Sequence, residues 1–115
     1  MASEITIERK GGLAVVSLNR PDKLNALTLD MRVELTETFR QISTDPEVRA
    51  VLLRAEGRAF CAGADISTMG KDDVWGDRAR LYRAHQMILS IYNCEKPMVA
   101  AVRGPAVGIG LSMAM

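Results

Sequence analysis

Twice in this chain a short apolar segment runs directly into a stretch of small residues. Residues 48–54, centred on Val51-Leu52-Leu53, lead through Glu56-Gly57 into Arg58-Ala59-Phe60-Cys61-Ala62-Gly63-Ala64-Asp65-Ile66. Met98-Val99-Ala100-Ala101-Val102 leads in the same way into Arg103-Gly104-Pro105-Ala106-Val107-Gly108-Ile109-Gly110-Leu111. A short apolar run closed by turn formers reads as a buried strand. The small residues behind it allow close approach to main-chain N–H groups, which are strong donors wherever the fold leaves them unpaired. Two such turns can offer two donors to one oxygen. A chain that repeats strand, tight turn and helix is also held to an α/β arrangement.

The segments around these turns fit that alternation. Ile5-Thr6-Ile7-Glu8-Arg9 alternates with period two, Lys10-Gly11-Gly12 supplies a turn, and Leu13-Ala14-Val15-Val16-Ser17-Leu18 returns, which is a β-hairpin pattern. Residues 19–26 form a loop, because Pro21 fixes its own φ and disfavours helix at Arg20. Thr28 is placed to cap a helix over residues 29–43, with Asp30 in its first turn and Met31, Leu35, Phe39 and Ile42 along one face. Residues 67–76 are polar, contain Trp75, and read as a long loop of lid type. A second helix is expected over residues 77–93 through Leu81, Ala84, Ile88 and Ile91, ended by Lys96-Pro97. The strand at 98–102 is expected to be buried. Residues 108–115 read as the opening of a buried helix without a C-cap, as in a partial chain.

Composition narrows the partners. At 115 residues the chain holds at most one domain, and 48% apolar content suits a globular core. A net charge of +1, from 15 basic and 14 acidic residues spread along the chain, gives no basic stripe for nucleic acid. No apolar run reaches the roughly 20 residues of a membrane span, so no membrane association is expected. Met1-Ala2-Ser3-Glu4 carries no basic-then-apolar signal segment, which makes a cytoplasmic or matrix-type location the expectation. Cys61 and Cys94 lack Cys-x-x-Cys spacing and a His cluster, so neither a disulfide nor a metal site is indicated.

Four pieces, taken in order, carry a family resemblance: Leu18-Asn19-Arg20-Pro21 with Leu24-Asn25-Ala26-Leu27, then Ala59-Phe60-Cys61-Ala62-Gly63-Ala64-Asp65-Ile66, then Lys96-Pro97-Met98-Val99-Ala100-Ala101-Val102, then residues 104–110. Together they make the chain resemble the N-terminal part of a crotonase-superfamily protein of the enoyl-CoA hydratase and isomerase family. The resemblance implies a spiral of repeated ββα units, of which this chain would be the first portion of a single domain. It implies an acyl-CoA thioester as substrate, no cofactor beyond that CoA, and a homotrimer or hexamer at full length.

The resemblance also implies an oxyanion hole made of the Ala64 and Ile109 peptide N–H groups. Abstraction of an α-proton, or addition at the β-carbon, pushes negative charge onto the thioester oxygen, and preorganised donors stabilise it. By the same resemblance Lys23, Leu24 and Ala26 line the mouth of the CoA site, Ala62, Ala64 and Ile66 curve around the adenine, and Asp65 counts among the CoA-binding residues. Gly108 and Ile109 belong to the thioester pocket. Asp65 reads as a turn or N-cap residue that shapes the loop presenting Ala64. Relatives place a phosphate-binding lysine where this chain has Ser67, so either Lys71 or Lys23 substitutes or the contact is absent.

Ser112 stands where hydratases of the family carry their first glutamate. Water addition needs two acid/base groups on one water, so an isomerase or another non-hydratase branch is expected. The alternatives are a non-catalytic CoA-binding or assembly protein, and a truncated chain inactive by itself. Ser112 reads as a small helix-packing residue, His85 as a half-buried structural histidine, and Cys61 as a small core residue. Met87, Met98, Met113 and Met115 read as core fillers.

Overall fold

The computed structural model describes residues 4–63 and 74–115. Strands β1 (Ile5–Lys10) and β2 (Leu13–Leu18) form the expected antiparallel hairpin. Gly11 takes a φ of +61° at its turn, a region open to glycine without steric cost. β2 then pairs in parallel with β3 (Ala50–Ala55), and β3 in parallel with β4 (Met98–Ala100). The sheet therefore has the order β1-β2-β3-β4. Parallel neighbours require crossover connections, which here carry helices α1 (Leu29–Thr44) and α2 (Val74–Tyr92).

α1 starts where the Thr28 hydroxyl accepts a hydrogen bond from the Met31 N–H, satisfying one of the orphan donors of the first turn. Met31, Leu35, Phe39 and Ile42 are buried on one face of it, as their spacing requires. They pack with Val16, Leu18, Val51, Leu53 and Phe60 into one core that Met87 of α2 and Met113 of α3 (Ile109–Ala114) complete.

The repeat is visible in the backbone. Strands β2, β3 and β4 are each followed by one bridging residue outside the sheet, Leu27, Cys61 and Ala106, and then by α1, α2 and α3. Cys61 and Ala106 pair with each other in parallel. This is the expected α/β arrangement of ββα turns, with the second strand of each later turn reduced to a bridge.

Four expectations are corrected. Residues 74–76, assigned to a loop, form the first turn of α2; the remainder of that loop, 67–73, lies outside the described residues. β4 stops at Ala100 and is not buried on both faces: among the described residues it pairs only with β3, and Val99 is 65% exposed. α3 is not a buried helix either: Gly110 and Met113 are its buried residues, Ile109 and Ala114 pack against the core only in part, and Leu111 faces out. Met115 is 95% exposed instead of filling the core, since its side chain lies past the last turn of α3.

Candidate active site

Three segments distant in sequence are laced together by their backbones: the loop at 20–27, the first small-residue run and the second. Within the loop Pro21–Lys23 form a 3-10 turn, after which Leu24 and Asn25 both adopt left-handed φ values of +53° and +57°. That conformation disfavours most side chains, Asn least among non-glycine residues. Asn25 is wholly buried and every polar atom of its amide is used. Its Oδ1 accepts from the Arg20 N–H at 2.7 Å, and its Nδ2 donates to the carbonyls of Glu56 and Ala59 at 2.8 and 2.9 Å. The Arg20 guanidinium adds a bond to the Ala26 carbonyl and an ion pair with Glu4.

The first run continues the lacing. The Ala62 N–H donates to the Leu24 carbonyl at 3.0 Å, and the Leu27 N–H to the Gly63 carbonyl at 2.7 Å. On its other side the Phe60 and Cys61 N–H groups both reach the Pro105 carbonyl, and the Val107 N–H reaches the Cys61 carbonyl at 3.0 Å. The two small-residue runs thus lie side by side in parallel.

Glycine is what lets them approach. A Cβ on Gly104, where φ is +71°, would overlap the Arg58 carbonyl oxygen. One on Gly110 would stand 2.5 Å from the Cys61 carbonyl oxygen and 2.7 Å from its Cβ. Cys61 is fully buried at this contact. Burial pushes its thiol pKa up, opposed in part by the Gly63 backbone and the Arg32 charge. A thiol held neutral is a packing group, not a nucleophile.

The residues expected at a ligand site fall into three groups. Leu24, Ala26 and Ala62 are half-buried and joined by the bonds above, while Lys23 stands exposed on the 3-10 turn beside them. Ala64, Asp65 and Ile66 lie outside the described residues, as do Ser67 and Lys71. Gly108, with φ +57°, leads into Ile109 at the first position of α3. Among the described residues no carbonyl accepts the Ile109 N–H. Ser112 is exposed, its hydroxyl only 3.5 Å from the Gly108 carbonyl, so it does not pack a helix interface in the manner expected.

Beside Ile109 a groove of about 610 Å³ runs between α2 and α3, walled by Leu81, Ala84, His85, Ile88, Leu89, Ile109 and Ser112. That size suits a small-molecule pocket. His85 is exposed in it, which corrects the half-buried position expected from its spacing. Asn25 and this groove are the features sequence reasoning missed. The left-handed tolerance of Asn in a polar loop was a usable signal for the first; nothing local marked the second.

The family model described as Enoyl-CoA hydratase/isomerase matches residues 8–115. The chain belongs to the enoyl-CoA hydratase/isomerase family. A probable enoyl-CoA hydratase of Mycobacterium tuberculosis is 40% identical over 105 residues, covering 90% of this chain and 40% of that protein. A probable 3-hydroxyisobutyryl-CoA hydrolase of Arabidopsis thaliana is 33% identical over 119 residues, covering 98% of this chain and 31% of the other. The crystal structure of an enoyl-CoA hydratase/carnithine racemase from Magnetospirillum magneticum superposes with a TM-score of 0.89 at 36% identity, over 99% of this chain and 44% of that one. The chain therefore spans less than half the length of these relatives. Its sheet and helices are those of the crotonase fold, and no helix among the described residues is long and apolar enough to cross a membrane.

Proposed function

We propose that the protein carrying this chain is an acyl-CoA enzyme that holds a thioester oxygen between the peptide N–H groups of Ala64 and Ile109. The single observation behind this reading is the parallel contact of the two small-residue runs at Cys61 and Ala106, with the Ile109 N–H left without a described acceptor. Donors fixed in place before charge develops stabilise an enolate more than solvent does, since they need no reorganisation. Lys23, Leu24, Ala26, Ala62, Asp65 and Ile66 would contact the CoA portion, and Gly108 would give the thioester room. Ser112 cannot supply the carboxylate that water addition requires, so the reaction is an isomerisation or another enolate reaction without hydration. On this reading residues 1–115 are the N-terminal portion of one domain, the protein acts in the cytoplasm as a trimer or hexamer, and CoA enters only as part of the substrate.

The test is calorimetry with acetoacetyl-CoA, followed by assays on 2-enoyl-CoA and 3-enoyl-CoA. Binding is expected, with double-bond migration exceeding hydration. No binding would sink the acyl-CoA reading, and efficient hydration would sink the branch. Ile109→Pro then removes one donor at a position where helices accept proline. The loss expected is about 100- to 1000-fold in kcat.

A further inference from the structure

His85 is the chain's only histidine. It is exposed, and no described hydrogen bond or ion pair holds its side chain. It opens instead onto the groove shared with Ile109 and Ser112, whose remaining wall is apolar. α3, across the groove, contributes no titratable side chain. On α2 the titratable neighbours Tyr82 and Arg83 line a different depression, facing Glu37 and Arg40 of α1. The Ser112 hydroxyl lies 3.5 Å from the Gly108 carbonyl oxygen of its own helix turn. Among the described residues lining the groove with Ile109, only His85 carries a basic nitrogen.

We propose, resting on the acyl-CoA reading above, that His85 is the base that moves the substrate proton. Its imidazole takes a proton from the α-carbon of the acyl group. The C–H electron pair becomes the carbon–carbon double bond of the enolate, the carbonyl π electrons move onto the thioester oxygen, and an imidazolium remains. In a 3-enoyl substrate the imidazolium returns that proton to the γ-carbon as the electrons flow back, and the 2-enoyl product leaves with His85 neutral again.

The experiment follows α-proton exchange of butyryl-CoA in D2O by NMR, using the complete protein that carries this chain, its His85→Gln variant and an Arg83→Gln control on the other side of α2. Wild type and Arg83→Gln are expected to exchange. His85→Gln is expected to lose about 100-fold or more, while still binding acetoacetyl-CoA in calorimetry and keeping the wild-type circular dichroism. Exchange by His85→Gln at the wild-type rate would overturn the proposal, and so would a loss traced wholly to weaker acetoacetyl-CoA binding. Wild type that binds acetoacetyl-CoA without exchanging butyryl-CoA would overturn it while leaving the acyl-CoA reading intact. Wild type that binds no thioester would bring down both.

Discussion

The side-chain amide of Asn25 donates to the main-chain carbonyl of Ala59 at 2.9 Å, across 34 residues of sequence and in a fully buried setting. Because the same nitrogen also holds Glu56, one side chain fixes how the loop at 20–27 meets the first small-residue run. Asn25→Ala leaves two carbonyls without this donor and places a disfavoured residue at φ +57°. Unsatisfied buried groups cost about 1–3 kcal/mol each. Urea unfolding should show a loss within or above that range, and Asn25→Asp should be at least as harmful because its carboxylate faces two carbonyl oxygens. A change indistinguishable from zero would refute the lacing role.

Substitutions of the glycines by alanine should follow a fixed order of severity. Gly104→Ala meets the Arg58 carbonyl oxygen and is strained at φ +71°; Gly110→Ala meets Cys61; Gly108→Ala meets nothing within 4 Å and carries only the strain of φ +57°. Overpacking costs about 1–3 kcal/mol, and the left-handed backbone alone about 1–2 kcal/mol. Thermal unfolding should rank the losses as Gly104 above Gly110 above Gly108. Cys61→Ala should not rescue Gly110→Ala, because the backbone oxygen remains in the way.

Thr28→Ala removes the hydroxyl that accepts from Met31 at the start of α1. A lost N-cap costs about 0.5–2 kcal/mol. Thr28→Ser should retain most of the stability in the same urea titration; equal losses in both variants would mean the methyl group, not the cap, matters.

The two thiols should separate by reactivity. Cys61 is fully buried with its pKa raised, whereas Cys94 is half-buried. Mass spectrometry after brief iodoacetamide treatment of the native protein should find the label on Cys94 first. The folded thiol pKa of Cys61 lies above its ordinary 9.0. The folded state therefore holds this proton more tightly, and the resulting stability is complete below pH 9 and falls as pH rises toward the folded value. Cys61→Ala should flatten that alkaline decline, whatever it does to the overall stability.

Much of the fold was legible because the signals were local. The period-two hairpin, the Thr28 cap and the 3.6-residue spacing of Met31, Leu35, Phe39 and Ile42 each depend on neighbours in sequence. Boundaries failed where they depend on distant ones. Val74-Trp75-Gly76 has weak helix propensity, so only the folded chain reveals that α2 begins there. β4 reads as buried from Val99 and Val102, yet its burial depends on what lies against its free edge and face. His85 was misplaced because Leu81 and Ile88 suggested a core stripe, whereas Leu81 is 58% exposed and borders the groove. Asn25 could be quoted as part of a motif, but its partners at Glu56 and Ala59 are set by tertiary contact and leave no mark beside it.

The strand order β1-β2-β3-β4 is also the order in which the residues are synthesised. Among the described residues no strand is inserted between two earlier ones, so each of these strands finds its partner already translated at one growing margin. A sheet of this kind can be laid down progressively as the chain leaves the ribosome, with the hairpin as its foundation and every later course added on one side.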